Sequence, residues 1–390
     1  MEIVTTTAGL EAAVERLNRH KFVALDTEFM RDQTYWPKLC LVQAAVEDFE
    51  AVIDPLAPGI DLKTLYALMR APDVLKVFHA ARQDIEVFWH MGKTIPEPLF
   101  DTQIAAMVCG FGESVGYETL VRRLSNTQID KSMRFTDWAK RPLSERQMQY
   151  ALSDVTHLRT VYARLARELE KTGRANWVAA EMKQLTKPSL YELHPENAWK
   201  RLRTRSTSRK FIGVLMEIAA WREREAQARD VPRGRVMKDE ALVEVAAQAP
   251  TTLESLEGLR AVPRGFAGSR SGRGLVEAVQ QGLRRKDIPD IERSEAPPES
   301  ALAIIDLLKV LLKAKAEEAG VAPRLVATSD DIERIALGDG DDEDIPALTG
   351  WRREVFGEAA LELKRGHVAL AASNGRVVLV PVNGKKNGAG

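Results

Sequence analysis

Residues 22–29 read FVALDTEF: an apolar run that passes into Asp26, Thr27 and Glu28 and closes on Phe29. Its length and composition predict a β-strand. Side chains alternate along a strand, so Asp26 and Glu28 share one face and Thr27 takes the other. Two carboxylates this close raise each other's pKa, and a divalent cation reverses that penalty. Mg2+ prefers carboxylate oxygens and keeps several waters for a substrate to displace. The alternative for Asp26-x-Glu28 alone is a solvated strand end.

Outward from this run, Leu39–Ala45 and Glu50–Ile53 are further strand candidates, with a turn at Glu47-Asp48. Strands so closely spaced are expected to be antiparallel, because a parallel crossover needs a dozen or more residues. Leu62–Met69 reads as a helix, Val74–Phe78 as a strand followed by a helix from about Ala81, and Asp101–Val108 as another helix. Ser144-Glu145-Arg146-Gln147 is a capping box, which opens a helix with apolar residues at helical spacing from Met148 to Leu165 and a stop at Gly173. Residues 1–170 therefore predict an α/β domain with one mixed sheet.

Beyond it the organisation changes. Residues 171–210 read as a connector punctuated by Pro188 and Pro195, ending in KRLRTRSTSRK (200–210), which has six cations and no acid. Residues 211–286 read as helical, 287–300 as a polar linker, and 301–390 as a second helical unit with a terminal hairpin. Pro232-Arg233 and Pro323-Arg324 lie 91 positions apart and Leu242 and Ile332 lie 90 apart. One gap aligns them as two copies of a helical module; chance similarity of Ala- and Glu-rich helices is the alternative. His367–Val382 alternates at period two around Asn374-Gly375, a hairpin signal. The closing NGKKNGAG reads as a frayed tail.

Composition sets outer limits. Of 390 residues, 45% are apolar and 29% charged, which argues against a largely disordered chain. Lys+Arg and Asp+Glu both number 56, so bulk positive charge is excluded as a means of binding nucleic acid, while a local basic patch is not. Cys40 and Cys109 match neither a disulfide framework nor a zinc motif. No targeting segment is expected at the start, and the apolar stretch 301–316 is interrupted by Asp306, Lys309 and Lys313, so no membrane span is expected. The expected compartment is the cytoplasm.

Two further acids join the first pair. Asp154 lies on the capped helix with Tyr150 four residues earlier, so carboxylate and phenol share a face. Alone, this pair is better read as a Tyr packed on the core beside an exposed Asp. Asp84 lies near the start of the helix after strand 74–78, where acids also occur for dipole reasons.

In order, Asp26, Glu28, Asp84 and Asp154, with Tyr150 four before the last, resemble the DEDD exonuclease superfamily, which has a ribonuclease H-like fold. DTEF at 26–29, Asp84, and the run Tyr150 to Asp154 resemble its three motifs. The superfamily's histidine class carries a His five before the last Asp. Gln149 stands there, so the chain resembles the tyrosine class. DTEFMRDQTYWPKLCLVQ, VFHAARQDIEVF, DTQIAAMVCGFGESVGYETL and DKSMRFTDWAKRPLSERQMQYALSDVTHL, with the two helical modules, are similar to the ribonuclease D family over nearly the whole chain. Its C-terminal modules are HRDC domains, small helical nucleic-acid-binding bundles. The second copy here matches less well.

The resemblance implies a ribonuclease H-like exonuclease domain followed by two mainly α-helical HRDC-like domains. It implies a 3′→5′ exoribonuclease that acts on RNA with a free 3′ end, releases nucleoside 5′-monophosphates and trims the 3′ ends of transfer RNA and other stable RNA precursors. It also implies two divalent ions, Mg2+ or Mn2+: Asp26 bridging, Glu28 and Asp154 completing one site, and Asp84 holding the second. Tyr150 would orient the attacking water, since a phenol is a weak base at neutral pH. Thr27, Phe29 and His79 become candidates for the terminal nucleotide, although Phe29 also suits a core and His79 a structural role. Arg201, Arg203 and Arg205 of the basic run become candidates for phosphate contacts, each of which would steepen the salt dependence of binding. The alternative is a solvated linker. A DNA exonuclease with the same acids and an inactive nucleic-acid-binding adaptor are the rival functions.

Overall fold

The strand that carries the first acid pair, β2 (Phe22–Met30), lies inside a six-stranded sheet, and its neighbours explain its composition. The computed structural model describes residues 2–130, 132–204, 206–290, 297–338 and 342–382. Arg205, the tail 383–390, part of the linker (291–296) and part of the acidic run after Gly338 (339–341) lie outside the described residues. With β1 (Glu2–Val4), β3 (Lys38–Ala45), β4 (Glu50–Ile53), β5 (Leu75–Phe78) and β6 (Leu99–Asp101), the sheet order is β1-β4-β3-β2-β5-β6. The β2–β3 and β3–β4 pairs are antiparallel, while β1–β4, β2–β5 and β5–β6 are parallel. The mixed sheet matches the sequence expectation. The three-residue strands β1 and β6 are too short to leave a periodic signal.

Alternation along β2 sorts its side chains between two layers. Val23 and Leu25 enter a core fed by α1 (Thr7–Leu17), α2 (Lys63–Arg70), α3 (Arg82–Gly92), α4 (Thr102–Val108) and α5 (Tyr117–Ser125). Ala24 faces the other way, against Val155 and Leu158 of α6 (Glu145–Thr172). Met148 and Ala151 of α6 pack with Cys40, Leu41 and Val52 on the same side. The capping box forms as read: Ser144 Oγ accepts from the Gln147 amide while the Gln147 side chain accepts from the Ser144 amide, and Gly173 closes the helix at φ +68°. Such a cap contributes about 1 kcal/mol.

The stretch read as a connector is more ordered than its prolines suggest. α7 (Ala175–Leu185) places Val178 and Met182, one helical turn apart, in the first core. Pro188 and Pro195 open two short 3-10 segments. A second core then forms around α8 (Arg209–Arg229) and the helix Arg270–Arg284. The two cross so tightly that a Cβ on Gly282 would lie 2.5 Å from the Val214 Cα. A third core gathers on the helix Glu299–Ala319, with Ile305, Leu308, Leu312 and Phe356.

The two helical units share part of their element order. Helices of 21 residues each, Arg209–Arg229 and Glu299–Ala319, are followed by short helices at Arg233–Val236 and Pro323–Val326, then by Asp239–Gln248 and Ser329–Leu337. The hairpin β7 (Val368–Ser373) and β8 (Arg376–Pro381) turns at Asn374 and Gly375, both at positive φ, as a two-residue turn requires.

Both helical units dock on the exonuclease domain. Tyr35, from the β2–β3 loop, belongs to the second core. From the second unit, the Ala322 amide donates to the Met107 carbonyl at 2.9 Å, and Trp351 stacks on Trp177 at 4.5 Å. Gly110 meets Gly320 so closely that a Cβ on Gly110 would lie 2.6 Å from the Gly320 oxygen. No helix among the described residues is long and apolar enough to cross a membrane.

Candidate active site

The sorting of β2 side chains builds an acidic centre. Asp26 and Glu28 point toward α6, and ligand oxygens of Asp26, Glu28 and Asp154 all lie within 4.8 Å of one another. Thr27 points the other way, and its hydroxyl donates to Asp84 Oδ1 at 2.5 Å. Asp84 sits in the first turn of α3 and is 6% exposed. It lies outside the three-acid group but lines the same cleft, of about 680 Å3, with Asp26, Glu28, Tyr150 and Asp154. Between Glu28 and Phe29 the β2–β3 register slips: Glu28 pairs with Leu41 and Phe29 with Leu39. A bulge of this kind re-aims side chains at the end of a strand.

The electrostatics follow from crowding and burial. Burial, then the charge of Asp154, raises the Asp26 pKa well above the ordinary carboxylate range. Glu28 rises to about 9, through burial and then the charges of Asp26, Asp154 and Asp84. Asp154 rises to about 7 through burial, although a hydrogen bond from Tyr150 and the nearby Arg134 pull it down. Burial, then Asp26, raises Asp84. Burial, then Asp154, raises the Tyr150 phenol, so it is protonated at neutral pH. Carboxylates that hold each other from ionising, with only oxygen donors presented, fit a hard divalent cation.

Of the further candidates, Thr27 is committed to Asp84. Phe29 packs on the first core and also lines the cleft. His79 also lines the cleft, and its Nδ1 lies 3.0 Å from Thr102 Oγ1, which itself donates to the Phe78 carbonyl. Burial lowers its pKa, against the pull of the nearby Asp101 charge. Arg201 and Arg203 do not line the cleft. Arg201 lies 3.6 Å from the Glu223 carboxylate and Arg203 is exposed.

Tyr117, Arg134 and Phe135 are among the cleft residues that escaped the sequence reading. Tyr117 lines the wall and donates its hydroxyl to the Asp154 backbone carbonyl. Arg134 and Phe135 rise from the segment between α5 and α6. The quoted motifs contain all three, but nothing in their spacing separates them from neighbouring polar and aromatic residues.

The profile of the 3′-5′ exonuclease family matches residues 1–170, and that of the HRDC domain matches 212–279. Ribonuclease D of Nitrobacter hamburgensis is 52% identical over 382 residues, which is 97% of this chain and 99% of that protein. Ribonuclease D of Gluconacetobacter diazotrophicus is 51% identical over 381 residues, 97% of this chain and 96% of that protein. The crystal structure of Escherichia coli RNase D, an exoribonuclease involved in structured RNA processing, matches with a TM-score of 0.81 at 30% identity, over 93% of this chain and 98% of that one. Divalent metal use follows from the exonuclease domain, and the oxygen-only donor set accords with it. Similar to these enzymes from end to end and carrying an acidic cleft in its exonuclease domain, the chain belongs to the ribonuclease D family of 3′→5′ exoribonucleases.

Proposed function

We propose that hydrolysis takes place in the cleft between β2 and α6, with two divalent ions, Mg2+ or Mn2+, held by Asp26, Glu28, Asp84 and Asp154. The observation that carries this reading is the meeting of Asp26, Glu28 and Asp154 oxygens within 4.8 Å, with the buried Asp84 in the same cleft. Asp26, Glu28 and Asp154 would hold one ion, and Asp84, together with Asp26, would hold the other. When bound, the ions supply charge for the attacking and leaving oxygens of an in-line displacement. Thr27 fixes the orientation of the Asp84 carboxylate. Tyr150, protonated and hydrogen-bonded to Asp154, orients the attacking water rather than taking its proton. Attack of water on the phosphorus breaks the P–O3′ bond, so the terminal nucleotide leaves as a nucleoside 5′-monophosphate and the shortened strand keeps a 3′ hydroxyl.

The natural substrate in this reading is a transfer RNA precursor with a 3′ extension, processed in the cytoplasm. RNA processing by the structurally similar E. coli enzyme supports this substrate class. The test is incubation of a precursor carrying a 3′ trailer, with chromatography of the released nucleotides. Release of 5′-monophosphates, with shortening that stops near the mature 3′ end, supports the reading. Release of 3′-monophosphates contradicts the chemistry. An untouched trailer beside a degraded unstructured RNA contradicts the substrate.

A further inference from the structure

Phe135 is 92% exposed, and it lines the catalytic cleft. Among the described residues every other Phe, Tyr and Trp side chain is at least partly buried. The single aromatic ring given up to solvent therefore stands at the cleft that holds the acidic centre.

The ring is held there by an anchored stem. Three residues on, Trp138 is 3% exposed and packs with Met148, Ala151 and Tyr150, the Tyr150 ring centroid lying 6.0 Å away. Thr136 Oγ1 donates to the Met133 carbonyl at 3.0 Å and accepts from Gln147 Nε2 at 3.1 Å, tying the segment to the first turn of α6. Arg141, at the end of the stem, donates to both oxygens of Asp54, at 2.6 and 2.7 Å. The Arg134 guanidinium lies 5.3 Å from the Phe135 ring centroid and lines the same cleft. A π face and a cation are thus presented together beside acids that repel a phosphate backbone. That pairing is the chemistry of single-strand binding: bases stack on aromatic faces while cations take the phosphates.

We propose that Phe135 is a stacking platform for one unpaired base of the RNA strand entering the cleft, with Arg134 meeting the adjoining phosphate. A base stacked there has left its neighbours, so the platform selects an unpaired 3′ end and needs no base-edge contact. The proposal rests on this cleft being the place of hydrolysis.

The test combines Phe135→Ala, Phe135→Leu and Phe135→Trp with a 5′-labelled RNA and a set of copies in which one of the last four bases is removed to an abasic site. Equilibrium binding is measured in chelator by fluorescence anisotropy, and kcat/KM is measured with metal. Phe135→Ala and Phe135→Leu are expected to weaken binding of intact RNA about 5- to 100-fold, Phe135→Trp is expected to bind like the wild type, and melting temperatures should not change. The penalty should vanish for one abasic position and persist for the others. Equal binding by Phe135→Ala, recovery by Leu, or one penalty whichever base is missing would overturn the platform. If the wild type binds RNA but never shortens it, the reading of the catalytic cleft fails instead, and the binding series still decides whether the ring stacks.

Discussion

The Tyr35 phenol donates to the Glu223 carboxylate across the boundary between the exonuclease domain and the first helical unit. Glu223 is 2% exposed, and Arg233 also grips it through Nε and an Nη at 2.6 and 2.8 Å. Asp230 accepts from the Tyr35 and Trp36 amides, both at 3.0 Å. Tyr35 lies in the loop that leaves β2. The helical unit therefore holds the continuation of the segment that carries Asp26 and Glu28.

Removing one partner of this network should cost more than an ordinary surface change. Tyr35→Phe loses a hydrogen bond to a charged group, worth about 1.5–3 kcal/mol. Glu223→Ala leaves Arg233 without its carboxylate, a loss of about 3–5 kcal/mol for a buried pair, somewhat less here because Arg233 is partly exposed. Urea unfolding checks both. Midpoints equal to the wild type would mean that the network does not join the domains.

Thr27 carries a separate prediction. Thr27→Val keeps the strand shape and removes the donor to Asp84. Loss of an outer partner of a metal-ligating group typically costs about 10- to 100-fold. Turnover of Thr27→Val should fall by that order, while Thr27→Ser retains most activity. Full activity of Thr27→Val would show that Asp84 needs no orienting partner.

The acids that crowd the cleft should make metal-free stability depend on pH. Glu28, raised to about 9, and Asp154, raised to about 7, both ionise at higher pH in the folded than in the unfolded chain. Such groups add stability that is full below their unfolded pKa values, near 4, and is lost as pH rises through the folded values. In chelator the melting temperature should therefore carry a declining contribution from pH 4 to 9, and the gain on adding Mg2+ should grow over the same range. Asp154→Asn should flatten the decline. A chelated protein whose wild-type and Asp154→Asn profiles run parallel would contradict the coupled site.

Much of this was legible in the sequence because alternation is local. The placing of Asp26 and Glu28 opposite Thr27 needs only the strand period, and Ser144 and Gln147 fix where the helix that carries Tyr150 and Asp154 begins. Asp84 was legible by motif alone, since its meeting with Thr27 depends on how α3 packs against β2. The docking of Tyr35 on Glu223 spans 188 positions and leaves no periodic trace. Arg134 and Phe135 lie in a segment without regular periodicity, where only the fold shows which side chain turns to the cleft. The approach of Arg201 to the Glu223 carboxylate, at 3.6 Å, likewise depends on how the basic run packs against α8.

The most direct measurement uses 5′-labelled single-stranded RNA with Mg2+ or with chelator, a 3′-phosphate-blocked copy, and an Asp26→Ala variant whose folding is checked by circular dichroism. The account predicts a ladder that shortens from the free 3′ end only with metal, and a loss of more than about a hundredfold in rate for the variant. Undiminished shortening by Asp26→Ala, or equal shortening in chelator, would contradict the claim that the acids of this cleft carry the reaction.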